Sequence, residues 1–236
     1  MEKTNQTAYE VYRHEQKYYI AKREALQLRE YLKRYMRPDE NAGDNLEYWV
    51  RSLYFDSTGN HDFYEKINGC SERKKIRLRI YNTSERMAKL EIKIKSGSYM
   101  RKESLFLHEE DVFALMKGDL SVLLSYHNPV AVKCYTYMHY EKYRPVVLID
   151  YEREAYFLPV ENIRITIDKN ARASSDTQRF FKTGIPMMPL CCEAKHILEV
   201  KYKTMLPGFL RSFISGTNSE MAPISKYCLG RLAIQM

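Results

Sequence analysis

The stretch Lys74-Lys75-Ile76-Arg77-Leu78-Arg79-Ile80-Tyr81 alternates strictly from Lys75 onward. A strand points successive side chains to opposite faces. Lys75, Arg77, Arg79 and Tyr81 therefore share one face, and Ile76, Leu78 and Ile80 the other. The stretch Lys89-Leu90-Glu91-Ile92-Lys93-Ile94-Lys95 repeats the design, with Lys89, Glu91, Lys93 and Lys95 opposite Leu90, Ile92 and Ile94. The connection Asn82–Ala88 is short and mostly polar, so the two strands are expected to pair as a hairpin. A further strand, Tyr99–Leu107, follows Gly97.

Outward from this hairpin the same pattern recurs. Strands are predicted at 12–20, 48–56, 146–157, 162–168 and 197–203. Arg13, Glu15 and Lys17 share a face of the first. Arg164, Thr166 and Asp168 oppose Ile163, Ile165 and Ile167 on the fourth, and Glu199, Lys201 and Lys203 oppose Leu198, Val200 and Tyr202 on the last. Ala25, Leu28, Leu32 and Tyr35 recur at helical spacing over 22–36, and Arg37-Pro38 ends that helix. Ser57-Thr58-Gly59-Asn60 reads as a turn, and 169–192 as a loop. Helices are expected over about 109–140, broken near Gly118 and Pro129, and at 207–215 and about 223–232. About eight strands with helices between and after them predict an α+β fold dominated by one antiparallel sheet. The whole chain, 1–236, reads as a single domain with its core over about 10–232.

In a half-buried strand one face is apolar and the other polar, so charges facing water are the plain reading of any one strand. Here the same design recurs on five or six strands, and the charged faces are mostly cationic. They carry Arg13, Lys17, Lys75, Arg77, Arg79, Lys93, Lys95, Arg153, Arg164, Lys201 and Lys203 against Glu15, Glu91, Asp168 and Glu199. Like charges side by side cost stability unless an anion fills the surface. A closed barrel would turn these faces toward one another around an interior of ligand size. An open sheet has the same periodicity, and its flat basic face would suit nucleic acid.

Composition bounds the reading. The chain has 236 residues, 44% hydrophobic and 29% charged, with 9 Gly and 8 Pro. These values exclude collagen-like, low-complexity and disordered chains. A net charge of +8 points to an anionic partner. The 5 Cys lack the spacing of a disulfide framework or zinc site, and reduced thiols in a cytoplasmic protein are expected. Residues 1–10 lack a signal-peptide apolar core, and no stretch reaches the ~20 apolar residues a membrane span needs. P-loop, zinc-protease and nucleophile-elbow motifs are absent.

Several segments, taken in order, resemble the VTC domain, the catalytic polyphosphate polymerase domain of the vacuolar transporter chaperone complex. They are Glu15-Gln16-Lys17-Tyr18, Ser52-Leu53-Tyr54-Phe55-Asp56, Ile76-Arg77-Leu78-Arg79-Ile80-Tyr81, Leu90-Glu91-Ile92-Lys93, Tyr151-Glu152-Arg153-Glu154-Ala155-Tyr156, Ile163-Arg164-Ile165-Thr166-Ile167-Asp168, Leu198-Glu199-Val200-Lys201, and Phe213 through Ser225-Lys226-Tyr227. The resemblance spans about residues 10–232 and places the chain among the triphosphate tunnel metalloenzymes. It implies a closed antiparallel barrel, a nucleoside triphosphate such as ATP as phosphoryl donor and inorganic polyphosphate as acceptor. It further implies a divalent metal, Mn²⁺ with Mg²⁺ as the alternative, and no nucleic-acid partner.

Carried over residue by residue, the phosphate-binding positions fall on Lys17, Arg77, Arg79, Lys93, Arg153, Arg164 and Lys226, and the metal-binding acid on Glu199. Glu15 and Glu91 are candidate helpers for the metal, with ion pairing to a neighbouring lysine as the alternative role. Lys66, Lys75, Lys95 and Lys201 are candidate substrate contacts. The SPX regulatory domain and membrane segments of the full-length eukaryotic members have no counterpart here, so a stand-alone microbial form is expected. A triphosphatase or polyphosphatase on the same scaffold, and a non-catalytic polyanion-binding module, are the competing functions.

Overall fold

The computed structural model describes residues 9–10, 14–39, 42, 46–97, 99–191 and 195–235. Arg13 and Cys192 lie outside them. In chain order the elements begin with β1 (Tyr9–Glu10), β2 (His14–Ala21), α1 (Lys22–Tyr35), β3 (Arg37–Pro38), β4 (Glu47–Asp56) and α2 (His61–Ile67). They continue with β5 (Arg73–Ile80), β6 (Met87–Ser96), β7 (Tyr99–His108), α3 (Glu109–Met116), α4 (Pro129–Tyr140) and β8 (Arg144–Leu158). The chain finishes through β9 (Ile163–Ser174), β10 (Met188–Pro189), β11 (Lys195–Tyr202), α5 (Gly208–Ser215), β12 (Glu220–Met221) and α6 (Lys226–Ala233).

The strands form one antiparallel sheet of twelve, in the order β1-β7-β6-β5-β4-β8-β9-β11-β2-β12, with β3 on β8 and β10 on β9. The β5–β6 hairpin pairs Lys75 with Lys93 and Arg77 with Glu91, as the alternation required. All eight predicted strands are present, and four two-residue strands bring the number to twelve.

The expected closed barrel is not formed: among the described residues the ladder ends at β1, on the β7 edge, and at β12, on the β2 edge. Its physical reason lies at the β2 edge. Glu220 and Met221 pair there with Tyr19 and Tyr18, and the Ala222 amide donates to the Lys17 carbonyl at 3.0 Å. Those groups are therefore not available to β7. The sheet is nonetheless strongly curled. β6 and β2 are six strand spacings apart in the sheet order, roughly 29 Å in a flat sheet at about 4.8 Å each. Lys93 Nζ on β6 nevertheless lies 3.1 Å from Glu15 Oε2 on β2.

Curling separates two environments. The convex face carries the predicted apolar rows. Leu53, Ile76, Leu78, Ile80, Leu90 and Ile92 pack under α3, α4 and the 3₁₀ segment Leu120–Tyr126. Ile20, Ile163, Ile165, Ile167, Leu198 and Val200 pack under α1 and α5. The charged rows line the concave face. At one end of that face α6 lies on a third apolar cluster, which includes Val50, Val147, Ile149, Tyr151, Ala173 and Tyr227. A Cβ at Gly230 would come within 2.2 Å of Ile149 Cδ1, so a larger residue there requires the Ile149 side chain to shift.

One further sequence expectation is corrected, and one helix joins the elements read from the sequence. Strand β9 runs on to Ser174, where a loop was expected from residue 169. Asn170 adopts φ +51° and the β8–β9 register shifts between Asp150 and Glu152, which breaks the alternation that marks a strand. Helix α2 follows the Ser57–Asn60 turn directly. Its start is held by Asp56, whose carboxylate accepts from the amides of Asp62 and Phe63 at 3.0 and 3.2 Å.

Candidate active site

Curling the sheet brings charged rows from β2, β5, β6, β7, β8, β9 and β11 onto one concave surface, and α6 adds Lys226. On β11 and β2 the pairing sets Glu199 opposite Lys17 and Lys201 opposite Glu15. Lys17 Nζ lies 3.0 Å from Glu15 Oε1 and 4.0 Å from Glu199 Oε1, and donates to the Ile224 carbonyl at 3.2 Å. Lys201 Nζ is 2.8 Å from Glu199 Oε1. On β8 and β9, Arg153 forks onto Asp168 with contacts of 2.6 and 2.8 Å, and its NH2 reaches to 3.9 Å from Glu199. Lys226 also donates to Asp168 and sits 4.9 Å above the Tyr151 ring.

On the hairpin, Arg77 donates from Nε to Glu91 at 2.7 Å and from NH1 to the Tyr54 hydroxyl at 2.9 Å. Arg79 donates to Ser52 and Tyr151 and lies 3.6 Å from Glu91. Lys75 Nζ donates to Ser225 Oγ at 2.8 Å. Arg164 stands further out on the same face. It donates to Asp39 at 2.6 Å and to the Tyr48 hydroxyl at 3.3 Å, and its side chain is 38% exposed.

The electrostatics are set by crowding. Burial opposes ionisation of Glu199, but Lys201, Lys17, Arg153 and Lys226 outweigh it and hold the carboxyl well below its usual range. Asp168 is held at about 2: burial opposes ionisation, and Arg153 and Lys226 overcome it. Glu15 is also lowered, against burial and the nearby Glu199, by Lys17, Lys93 and Lys201. Burial and neighbouring cations push Lys75 the other way, down to about 8. Tyr54 also falls to about 8, because Arg77, Arg79 and Lys75 outweigh its burial.

The predicted residues Lys17, Arg77, Arg79, Lys93, Arg153, Lys226, Lys201 and Glu199 thus share one connected network, with Arg164 at its outer end. Glu91 is held by Arg77, Arg79 and Lys102, while Glu15 and Glu199 are held by Lys17, Lys93, Lys201 and Arg153. This fits the ion-pair role for Glu91. Lys66, on α2, and Lys95, on β6, lie toward the α6 end. Burial, with Arg73, Lys17 and Lys95 nearby, lowers the Lys66 ammonium from its usual range.

Two members went unassigned in the sequence. Asp168 was seen on the charged face, but nothing in the pattern showed two cations converging on it. Lys102 shares a face of β7 with Met100 and Ser104, a weaker signal than the neighbouring strands gave. It pairs with Glu91, and burial and Arg77 bring it down to about 8.

No cluster of three or more His, Cys, Asp or Glu able to hold a metal is found among the described residues. Glu15 and Glu199 are nonetheless adjacent, ionised oxygen donors sharing Lys17. Two carboxylates completed by phosphate oxygens suit Mg²⁺ or Mn²⁺, which need few protein ligands in phosphoryl-transfer sites. The donor set fits a hard cation that arrives with a phosphate chain. No helix among the described residues is long and apolar enough to cross a membrane.

Among the solved structures similar to this chain are the following two. A Hippeastrum protein assigned as an adenylyl cyclase, and reported to show a dominant triphosphatase activity, superposes with a TM-score of 0.56 at 14% identity, covering 94% of this chain and 96% of that one. A Bacillus halodurans protein assigned as an adenylate cyclase gives a TM-score of 0.48 at 11% identity, covering 89% and 92%. A search of curated proteins finds no match. The family model of the VTC domain matches residues 12–235, and the chain belongs to that family.

Proposed function

We propose that the concave face grips the phosphate chain of ATP or another nucleoside triphosphate and passes its terminal phosphoryl group to inorganic polyphosphate. The observation that carries this reading is the charge balance of the face. Nine cations, Lys17, Lys75, Arg77, Arg79, Lys93, Lys102, Arg153, Lys201 and Lys226, meet four carboxylates, Glu15, Glu91, Asp168 and Glu199. A linear polyanion supplies the missing negative charge along the whole row.

Phosphoryl transfer needs positioning and charge neutralisation more than proton chemistry. A terminal oxygen of polyphosphate, already ionised at neutral pH, forms the new bond to the terminal phosphorus of the nucleotide. The bond from that phosphorus to the bridging oxygen breaks, and the nucleoside diphosphate leaves with the electron pair. Arg77, Arg79, Arg153 and Arg164 hold phosphate oxygens through planar forks. Lys17, Lys93 and Lys226 neutralise the oxygens that gain charge. A divalent cation bound through Glu199 and Glu15 would add further neutralisation of the phosphate chain.

The hydrolase reading draws on the Hippeastrum protein, reported to show a dominant triphosphatase activity on a similar fold. Incubation with ATP and Mn²⁺ separates the readings. Polymer with ADP supports the polymerase, orthophosphate without polymer the hydrolase, and no turnover a polyanion-binding module.

A further inference from the structure

The inward row of β5 runs Arg73, Lys75, Arg77, Arg79 and continues to Tyr81, about 26 Å at roughly 3.3 Å per residue. Its two ends differ in chemistry. At the Tyr81 end, the ring of Tyr81 meets Tyr48 edge-on at 5.9 Å between centroids, and Tyr81 is 41% exposed. The Tyr48 hydroxyl accepts from Arg164, and Arg164 binds the Asp39 carboxylate. Tyr48 also stands directly across the β4–β8 pair from Arg153. Two aromatic rings, a guanidinium and a carboxylate acceptor therefore border the phosphate-binding arginines.

At the other end the pairs across the hairpin are Lys75 with Lys93 and Arg73 with Lys95. Lys66 lies in the last turn of α2, which packs against β5. Lys66, Arg73, Lys75 and Lys95 form no ion pair with a carboxylate among the described residues. This end offers unpaired charge to a phosphate chain, and the rings packed beside Lys75, those of Tyr54 and Tyr227, are buried.

We infer that the site has a direction: the nucleoside of the donor stacks at Tyr48 and Tyr81, and the acceptor polyphosphate lies along Lys66, Arg73, Lys75 and Lys95. The inference rests on the proposed function and adds the placement of its two substrates. Aromatic rings stack on any base, which gives affinity with little base selectivity. Ammonium groups on flexible stems bind successive phosphates without demanding one register.

The test is calorimetric titration of wild type, Tyr81→Ala, Tyr81→Phe and the double variant Lys66→Gln/Lys95→Gln with ATP, tripolyphosphate and long-chain polyphosphate. Tyr81→Ala is expected to lower the ratio of ATP to tripolyphosphate affinity about tenfold, and Tyr81→Phe to restore it. The lysine double variant is expected to lower the ratio of long-chain polyphosphate to ATP affinity about tenfold. A Tyr81→Ala protein with an unchanged ratio, or a lysine variant that loses ATP and polyphosphate equally, overturns the direction. Parallel assays for polymer keep the two readings apart. Wild type that shows these ratios but makes no polymer sinks the polymerase and leaves the direction standing. Polymer synthesis with unaltered ratios does the reverse.

Discussion

Arg153 and Asp168 face one another across the β8–β9 pair and meet through two parallel contacts of 2.6 and 2.8 Å, with Lys226 on the same carboxylate. The Asp168 side chain is fully buried. One carboxylate thereby fixes two of the cations assigned to the phosphate chain, and ties α6 to the sheet.

Asp168→Asn leaves Arg153 and Lys226 without their counter-charge. Breaking a buried pair from one side costs about 3–5 kcal/mol, and a loss of that order is expected in urea unfolding at pH 7. The wild-type contribution follows from the depressed pKa. It is fully present above about 4, the ordinary value for an aspartate, and is lost as pH falls toward about 2. Unfolding midpoints should therefore converge for wild type and variant below pH 2.

Glu199→Gln is expected to abolish turnover while the chain still folds, with a melting temperature lowered by the loss of its buried ion pairs. Its ionised oxygens face Lys17, Lys201 and Arg153, and a neutral amide is a poor ligand for a hard cation. Full activity in this variant, measured with Mn²⁺ and with Mg²⁺, would defeat the metal assignment.

Arg77→Ala removes a guanidinium held by Glu91 and Tyr54. Nucleotide affinity should fall about 10–100-fold, since charge-assisted hydrogen bonds contribute roughly 1.5–3 kcal/mol each. An unchanged dissociation constant for ATP contradicts the assigned role.

Lys75 and Lys102 lose their protons near pH 8, below the ~10.4 of an unfolded lysine. The unfolded chain binds more protons than the folded one between about pH 8 and 10, so stability without ligand rises with pH across that window. Affinity for tripolyphosphate moves the opposite way and falls as the two charges vanish. Calorimetry at pH 7 and 9.5 should show this loss, with proton uptake on binding at the higher pH. Lys75→Met should reduce both effects.

Gly230→Val tests how α6 is seated. The new side chain meets Ile149 and Val147 at the distances a glycine leaves empty. Overpacking of this kind costs about 1–3 kcal/mol. Displacement of α6 also moves Lys226 from Asp168, so activity is expected to drop together with the melting temperature.

The sheet was legible because alternation records which face of a strand is buried. It placed Ile76, Leu78 and Ile80 under the helices and Arg77 and Arg79 on the concave face. Closure was not legible, since it turns on which segment takes the β2 edge, and Glu220–Met221 carry no periodic signal. The second half of β9 was hidden by Asn170, whose left-handed backbone breaks the two-residue period. The site was legible as a set of charges and not as a network. Spacing within Arg164–Asp168 cannot show that Asp168 meets Arg153 and Lys226, contacts made across 15 and 58 residues of chain.

Across the curl, Lys93 of β6 and Glu15 of β2 are joined by a side-chain ion pair and not by a backbone ladder. Dissolved salt weakens a contact of this kind and leaves the strand pairing untouched, so the curvature can yield at this seam while the sheet stays whole.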